Sequence, residues 1–175
     1  MQFLKQKIQG VFIIKKKKFI DKRGIFMRHF CKETFKIKNL TSSIQQSNLS
    51  INYKKGTLRG FHYQEKPFQE DKIMSCIKGK MYDVVIDMRK NSKTFRKWLS
   101  FEISEKNQLS LLIPKGCANA FLTLTDDTII HYYCSQKYNP KYEKGINFQD
   151  PFFSFKWPIK PRIFSKKDFE IPYII

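Results

Sequence analysis

Short β-rich runs separated by turn signals recur along the whole chain, about every ten residues, and helical periodicity is scarce. The runs cover residues 10–19, 24–30, 43–53, 57–64, 72–77, 80–88, 98–103, 109–113, 118–124 and 128–134. Between them stand Asp21-Lys22-Arg23-Gly24, Lys78-Gly79, Asn91-Ser92, Pro114-Lys115-Gly116 and Asp126-Asp127, all turn formers. This pattern excludes a helical bundle and predicts an all-β sandwich or barrel with minor helix. No repeat, low-complexity linker or Pro/Gly-rich boundary interrupts it, so one domain over residues 1–175 is expected.

The run from Lys80 to Met88 is the most informative single strand. Alternation sets Tyr82, Val84, Ile86 and Met88 on one face and Met81, Asp83, Val85 and Asp87 on the other. The first face reads as core. Two carboxylates among apolar residues on the second read either as the lining of a cavity or as wet side chains. The turn at Lys78-Gly79-Lys80 is expected to close a hairpin that sets Lys72 and Asp83 on adjacent strands, where they can pair.

With 41% hydrophobic residues and 17 Phe, the chain carries enough apolar surface for a packed core. Its formal charge of +19 raises nucleic acid as a partner. The excess is mostly lysine, however, 28 Lys against 6 Arg, and scattered lysines commonly decorate a solvated surface. A small anionic substrate fits the same field, and neither a nucleic-acid nor a membrane partner is expected. No apolar run is long enough to span a bilayer and the first residues lack a signal-peptide core, so a cytoplasmic location is expected. Cys31, Cys76, Cys117 and Cys134 lie far apart without zinc-ligand spacing and read as free, buried thiols.

Taken in order, several segments form a recognisable set: Asp21-Lys-Arg-Gly-Ile-Phe26, Gly56-Thr-Leu-Arg-Gly-Phe-His-Tyr-Gln64, Asp71-Lys-Ile-Met74, Tyr82-Asp-Val-Val-Ile-Asp-Met-Arg89, Ser92-Lys-Thr-Phe95, Ile113-Pro-Lys-Gly116, Tyr138-Asn-Pro140 and Glu143-Lys-Gly-Ile146. Together they resemble the dTDP-4-dehydrorhamnose 3,5-epimerase family, over residues from about 10 to about 170. The resemblance implies a cupin-type jelly roll that forms a homodimer. It also implies a nucleotide-diphosphate 4-keto-6-deoxy sugar as substrate, inverted beside its ketone in surface-polysaccharide sugar synthesis, with no cofactor and no metal.

It further implies roles for individual residues. His62 corresponds to the base, Asp168 to the carboxylate that orients it, Lys72 to the cation that stabilises the enolate, Asp83 to its neighbour and Tyr132 to the acid. Arg59 corresponds to the diphosphate clamp, Arg23, Phe26, Gln46 and Asn48 to further binding residues, and Tyr138 to the aromatic that packs on the nucleoside. In the family the Arg23 to Phe26 segment reaches the site from the partner subunit. Arg59 and His62, three residues apart, would point to opposite faces of a regular strand, so a bulge is expected at Gly60.

Two positions depart from the family pattern. Arg28 stands where an acidic residue is usual, and its paired donors suit the O6 and N7 acceptors of guanine, which makes GDP a candidate beside dTDP; a solvent-facing Arg28 is the alternative. Asn119 stands where P-x-G-x-x-H-x-F has histidine. It keeps neutral hydrogen bonding, removes a metal ligand and points to an altered sugar pocket, such as one for a 6-deoxyheptose. A C3-only epimerase and a non-catalytic sugar-nucleotide-binding cupin are the other readings.

Overall fold

The computed structural model describes residues 1–174. Thirteen strands are β1 (Gln2–Lys5), β2 (Phe12–Lys15), β3 (Lys18–Asp21), β4 (Gly24–Met27), β5 (Gln46–Asn52), β6 (Leu58–Gln64), β7 (Lys72–Lys78), β8 (Lys80–Asp87), β9 (Trp98–Ser104), β10 (Ser110–Ile113), β11 (Cys117–Thr123), β12 (Thr128–Cys134) and β13 (Glu143–Gly145). Among the described residues two short α-helices, α1 (Lys32–Ile37) and α2 (Lys166–Phe169), and a 3-10 turn at Pro140–Tyr142 accompany them. One antiparallel sheet runs β1-β2-β10-β7-β12-β5, the other β13-β6-β11-β8-β9, and β3 and β4 form a separate hairpin. No described helix is long and apolar enough to cross a membrane.

The core lies between the two large sheets. Met74, Cys76, Leu111, Ile113 and Ile130 of the first pack against Met81, Val85, Ile103 and Phe121 of the second. The outer faces are covered as well. Leu58, Val84, Ile86, Ala118, Ala120 and Leu122 are buried beneath Ile146, Phe148 and Phe153 of the C-terminal segment, while α1 lays Phe35 on Ile14, Ile73 and Leu112. Double coverage explains why all seven residues of β11 are buried, polar Asn119 and Thr123 among them.

Several expectations need correction. The 10–19 run divides into β2 and β3 because the chain leaves the large sheet after Lys15 to build the exposed hairpin. β7 and β8 are not hairpin partners: the turn at Gly79 carries the chain from one sheet to the other, so Lys72 and Asp83 approach across the sandwich rather than along a ladder. Asp83 and Asp87 are not wet; both are 0% exposed. Asp87 is gripped by Arg89 Nε at 2.8 Å and by Ser92 and Thr94 hydroxyls, which fixes the loop after β8. All four cysteines are free, but Cys31 is only half-buried.

Candidate active site

Asp168 is brought to His62 by a local device. Ser165 caps α2, its hydroxyl accepting from the Asp168 backbone N–H at 3.0 Å, and the turn aims the carboxylate back at β6. There Oδ1 lies 2.7 Å from His62 Nε2, and Oδ2 accepts from the Gly60 N–H at 3.4 Å. Burial pushes the Asp168 carboxyl up, but the His62 hydrogen bond and charge and the Gly60 N–H outweigh it and hold the carboxyl below its ordinary value. With Nε2–H donating to this anion, Nδ1 remains as the basic nitrogen.

Arg59 joins His62 on the same cavity because β6 is irregular. His62 is registered with Asn119 but Arg59 with Phe121, so three steps on β6 oppose two on β11. Gly60, at φ +108°, takes up the extra residue, and a Cβ there would stand 2.5 Å from the Asn119 carbonyl oxygen. Phe61 therefore turns outward into the covered face while Arg59 and His62 both turn inward. Asn52 Oδ1 accepts from Arg59 Nε at 3.0 Å and fixes the guanidinium.

From the opposite sheet come Lys72 on β7 and Tyr132 on β12. Lys72 Nζ donates to Asn119 Oδ1 at 3.1 Å and lies 3.4 Å from Glu70 Oε1. Asn119 Nδ2 in turn donates to Asp83 Oδ2 at 3.3 Å. Burial pushes the Asp83 carboxyl up to about 8, against the Asn119 hydrogen bond and the Lys72 charge. Burial likewise raises the Tyr132 phenol, so it keeps its proton at neutral pH.

These side chains surround a cavity of about 630 Å³ lined by Arg59, His62, Lys72, Asn119, Tyr132 and Asp168 together with Leu49, Ile51, Met74, Phe121 and Lys167. A second cavity of about 280 Å³ adjoins it across His62, Lys72 and Tyr132 and holds Gln46, Asn48 and Tyr138. Asp83 lines neither cavity and meets the site through Asn119. Arg23, Phe26 and Arg28 lie on or beside the β3–β4 hairpin, outside both cavities of their own chain. Arg23 is paired with Asp21 at 2.6 Å, and Arg28 is exposed beside Phe19, Phe26 and Lys17.

Glu143 and Lys167 carry no role in the sequence reading, yet they complete the surroundings of His62. Glu143 Oε1 stands 3.8 Å from His62 Nδ1, and Oε2 accepts from the Tyr138 hydroxyl and the Lys167 ammonium. Burial pushes this carboxyl up, but Lys167 and Tyr138 prevail and hold it low. The pairing of β13 with β6, Gly145 opposite His62, is the structural signal that places Glu143 there. Cys117 is buried, as expected, and burial pushes its thiol up to about 12.

An imidazole on one sheet, hydrogen-bonded to a carboxylate from α2, faces an ammonium and a protonated phenol on the other sheet. The pattern of the dTDP-4-dehydrorhamnose 3,5-epimerases matches residues 5–174. The chain belongs to that family. The epimerase of Methanothermobacter thermautotrophicus is 37% identical over 171 residues, 95% of this chain and 91% of its own. The Bacillus anthracis epimerase, solved with TDP and PPi bound, superposes with a TM-score of 0.95 at 31% identity, covering 99% of each chain. ChmJ of Streptomyces bikiniensis, described as a 3'-monoepimerase and solved with dTDP-quinovose, gives 0.89 at 32% identity over 96% of this chain and 85% of its own. Membership makes the chain an isomerase on a cupin-type jelly roll.

Proposed function

We propose that the protein inverts C3 and C5 of a nucleotide-diphosphate 4-keto-6-deoxy sugar in the synthesis of surface polysaccharide. The observation that carries this reading is the division of labour between the sheets, His62 with Asp168 on one side of the cavity and Lys72 with Tyr132 on the other. His62 Nδ1 removes a proton α to the ketone, and the electron pair moves to the carbonyl oxygen. The Lys72 ammonium stabilises the resulting enolate. Tyr132 returns a proton from the opposite face, and the centre is inverted. No cofactor and no metal enters these steps.

Arg59, with Gln46 and Asn48 in the adjoining cavity, is suited to the diphosphate, and Tyr138 to the nucleoside. The TDP and dTDP-sugar in the two solved relatives favour a dTDP-linked substrate. Arg28 beside the exposed rings of Phe19 and Phe26 favours GDP as a second reading. Asn119 in the place of the family's histidine leaves a 6-deoxyheptose as a candidate beside a hexose.

The functional unit is a homodimer. Leu49, Ile51 and Tyr53 are exposed along and just beyond β5, the free edge strand of its sheet, beside the cavity, and Phe19, Ile20, Ile25 and Phe26 are exposed on the hairpin. Joining these surfaces between two copies buries both and carries Arg23 and Phe26 of one copy to the cavity of the other.

The test is incubation in D2O with dTDP- and GDP-linked 4-keto-6-deoxy sugars, including a GDP-linked heptose, with deuterium followed at C3 and C5 by NMR. Two deuteriums are expected. A single one makes the protein a C3-only epimerase, the nucleotide that supports exchange decides between dTDP and GDP, and no exchange with any of them removes the catalytic reading.

A further inference from the structure

Lys72 must present a proton to one carbonyl oxygen, yet its ammonium sits on a flexible stem with three equivalent donors. What aims it is visible in the structure. Asn119 points inward from β11, where its backbone is registered with His62 on one side and Val85 on the other. Its carboxamide reaches the facing sheet and accepts from Lys72 Nζ at 3.1 Å, shorter than the 3.4 Å to Glu70 Oε1 or the 3.5 Å to the His62 carbonyl.

The direction of this bridge is fixed. Asn119 Nδ2 meets Asp83 Oδ2 at 3.3 Å and Met74 Sδ at 3.1 Å, both acceptors. A flipped amide would set NH2 against the ammonium, two donors with no acceptor between them. Among the described residues the side chain hydrogen-bonded to Asp83 is that of Asn119; Asp83 is 0% exposed and its Oδ1 is unpartnered.

We propose that Asn119 is the positioning residue for Lys72, an uncharged bridge that accepts from the ammonium and is itself held by buried Asp83, leaving another Lys72 proton aimed at the substrate oxygen. This rests on the functional reading above. An amide has the same donor and acceptor ends at every working pH and leaves the lysine its full charge. A carboxylate at 119 would neutralise that charge, and an imidazole would accept from Lys72 only while itself unprotonated.

The experiment compares the intact protein with Asn119→Asp, Asn119→Ala and Asn119→His, using the sugar nucleotide that the unsubstituted protein turns over and measuring kcat and KM from about pH 5.5 to 9. Asn119→Asp is expected to lower kcat ~100-fold and Asn119→Ala ~10-fold, with KM changed less than ~3-fold. Asn119→His, checked for fold by circular dichroism, is expected to keep kcat within ~10-fold at pH 8. Its acid limb should steepen by one proton, because the new imidazole accepts from Lys72 only while itself unprotonated.

A rise in KM with kcat intact in the Asp or Ala variant would make Asn119 a substrate contact and overturn the proposal. An acid limb unchanged in the folded His variant would overturn it even if the other two failed to fold. Absence of turnover by the unsubstituted protein would overturn the functional reading itself, and this inference with it.

Discussion

His62 and Asp168 are 106 positions apart in sequence and 2.7 Å apart in space, joined through Nε2 and Oδ1. The contact makes Nε2 the donor to a carboxylate and, in the proposed role of His62 as base, balances the charge the imidazole gains with a proton. Asp168→Asn is therefore expected to lower kcat by ~10²- to 10⁴-fold with little change in KM, as loss of an orienting carboxylate does elsewhere. Steady-state kinetics on a protein whose circular dichroism is unchanged provides the check.

The same carboxyl makes a stability prediction. Its folded value lies below the unfolded one, so its contribution is present above about pH 4 and is lost as pH falls through the folded value. Asp83 has the opposite sign. Its carboxyl is raised to about 8 in the fold, so its contribution is full below about pH 4 and disappears as pH rises to about 8. Asp83→Asn should thus gain thermal stability over the natural protein as the pH is raised from 5 to 8, by ~3 °C or more at the upper end, where ~1 kcal/mol corresponds to ~2–4 °C. A melting-temperature difference that is flat with pH would contradict it.

Gly60 has no room for a side chain. Gly60→Ala sets a methyl 2.5 Å from the Asn119 oxygen and 2.9 Å from the Ala120 Cα, at a φ of +108°. A loss of ~2–4 kcal/mol in denaturant unfolding is expected, together with lost activity, because relief of the clash moves Arg59 and His62 relative to each other.

Tyr132→Phe separates the two half-reactions. Removing the phenol leaves His62 and Lys72 in place, so deuterium exchange at the α-carbon should fall less than ~10-fold while net inversion falls at least ~100-fold. Equal loss of both would place Tyr132 outside the acid role.

The assembly is tested at its apolar edge. Ile51→Lys sets a charge among Leu49, Ile51 and Tyr53 and is expected to shift the protein from dimer to monomer in sedimentation equilibrium. Unchanged association would locate the interface elsewhere.

Much of this architecture is legible in the residues. The ten runs mark β2 to β12, and the alternation in β8 sorts its side chains correctly between two faces. That both faces are core is not legible there: the face of Met81 and Val85 packs on the facing sheet, while the cover on Val84 and Ile86 comes from Phe148 and Phe153, some sixty residues away in sequence. The three-residue spacing of Arg59 and His62 announces the irregularity at Gly60, since a cavity served by both demands it. The partnership of Lys72 with Asp83 misleads for a definite reason: a Gly turn between two strands has the same local chemistry whether the strands pair or cross between sheets. β1 lies outside the ten runs and β13 has only three residues, and Glu143 and Lys167 acquire meaning only when β13 pairs with β6. For Asn119 the sequence marks the position and the structure supplies the neighbours.

The proposed base and acid hang from different sheets, and that makes the hydrocarbon filling a spacer gauge. Facing sheets stand ~10 Å apart at a distance set by the side chains between them. Here those are Met81, Val85 and Ile103 against Leu111, Ile113 and Ile130. Exchanging Val85 for a bulkier or slimmer residue widens or narrows the gap that the sugar ring must bridge. Turnover is sensitive to displacements well under 1 Å, so residues that never meet the substrate calibrate how fast it is inverted.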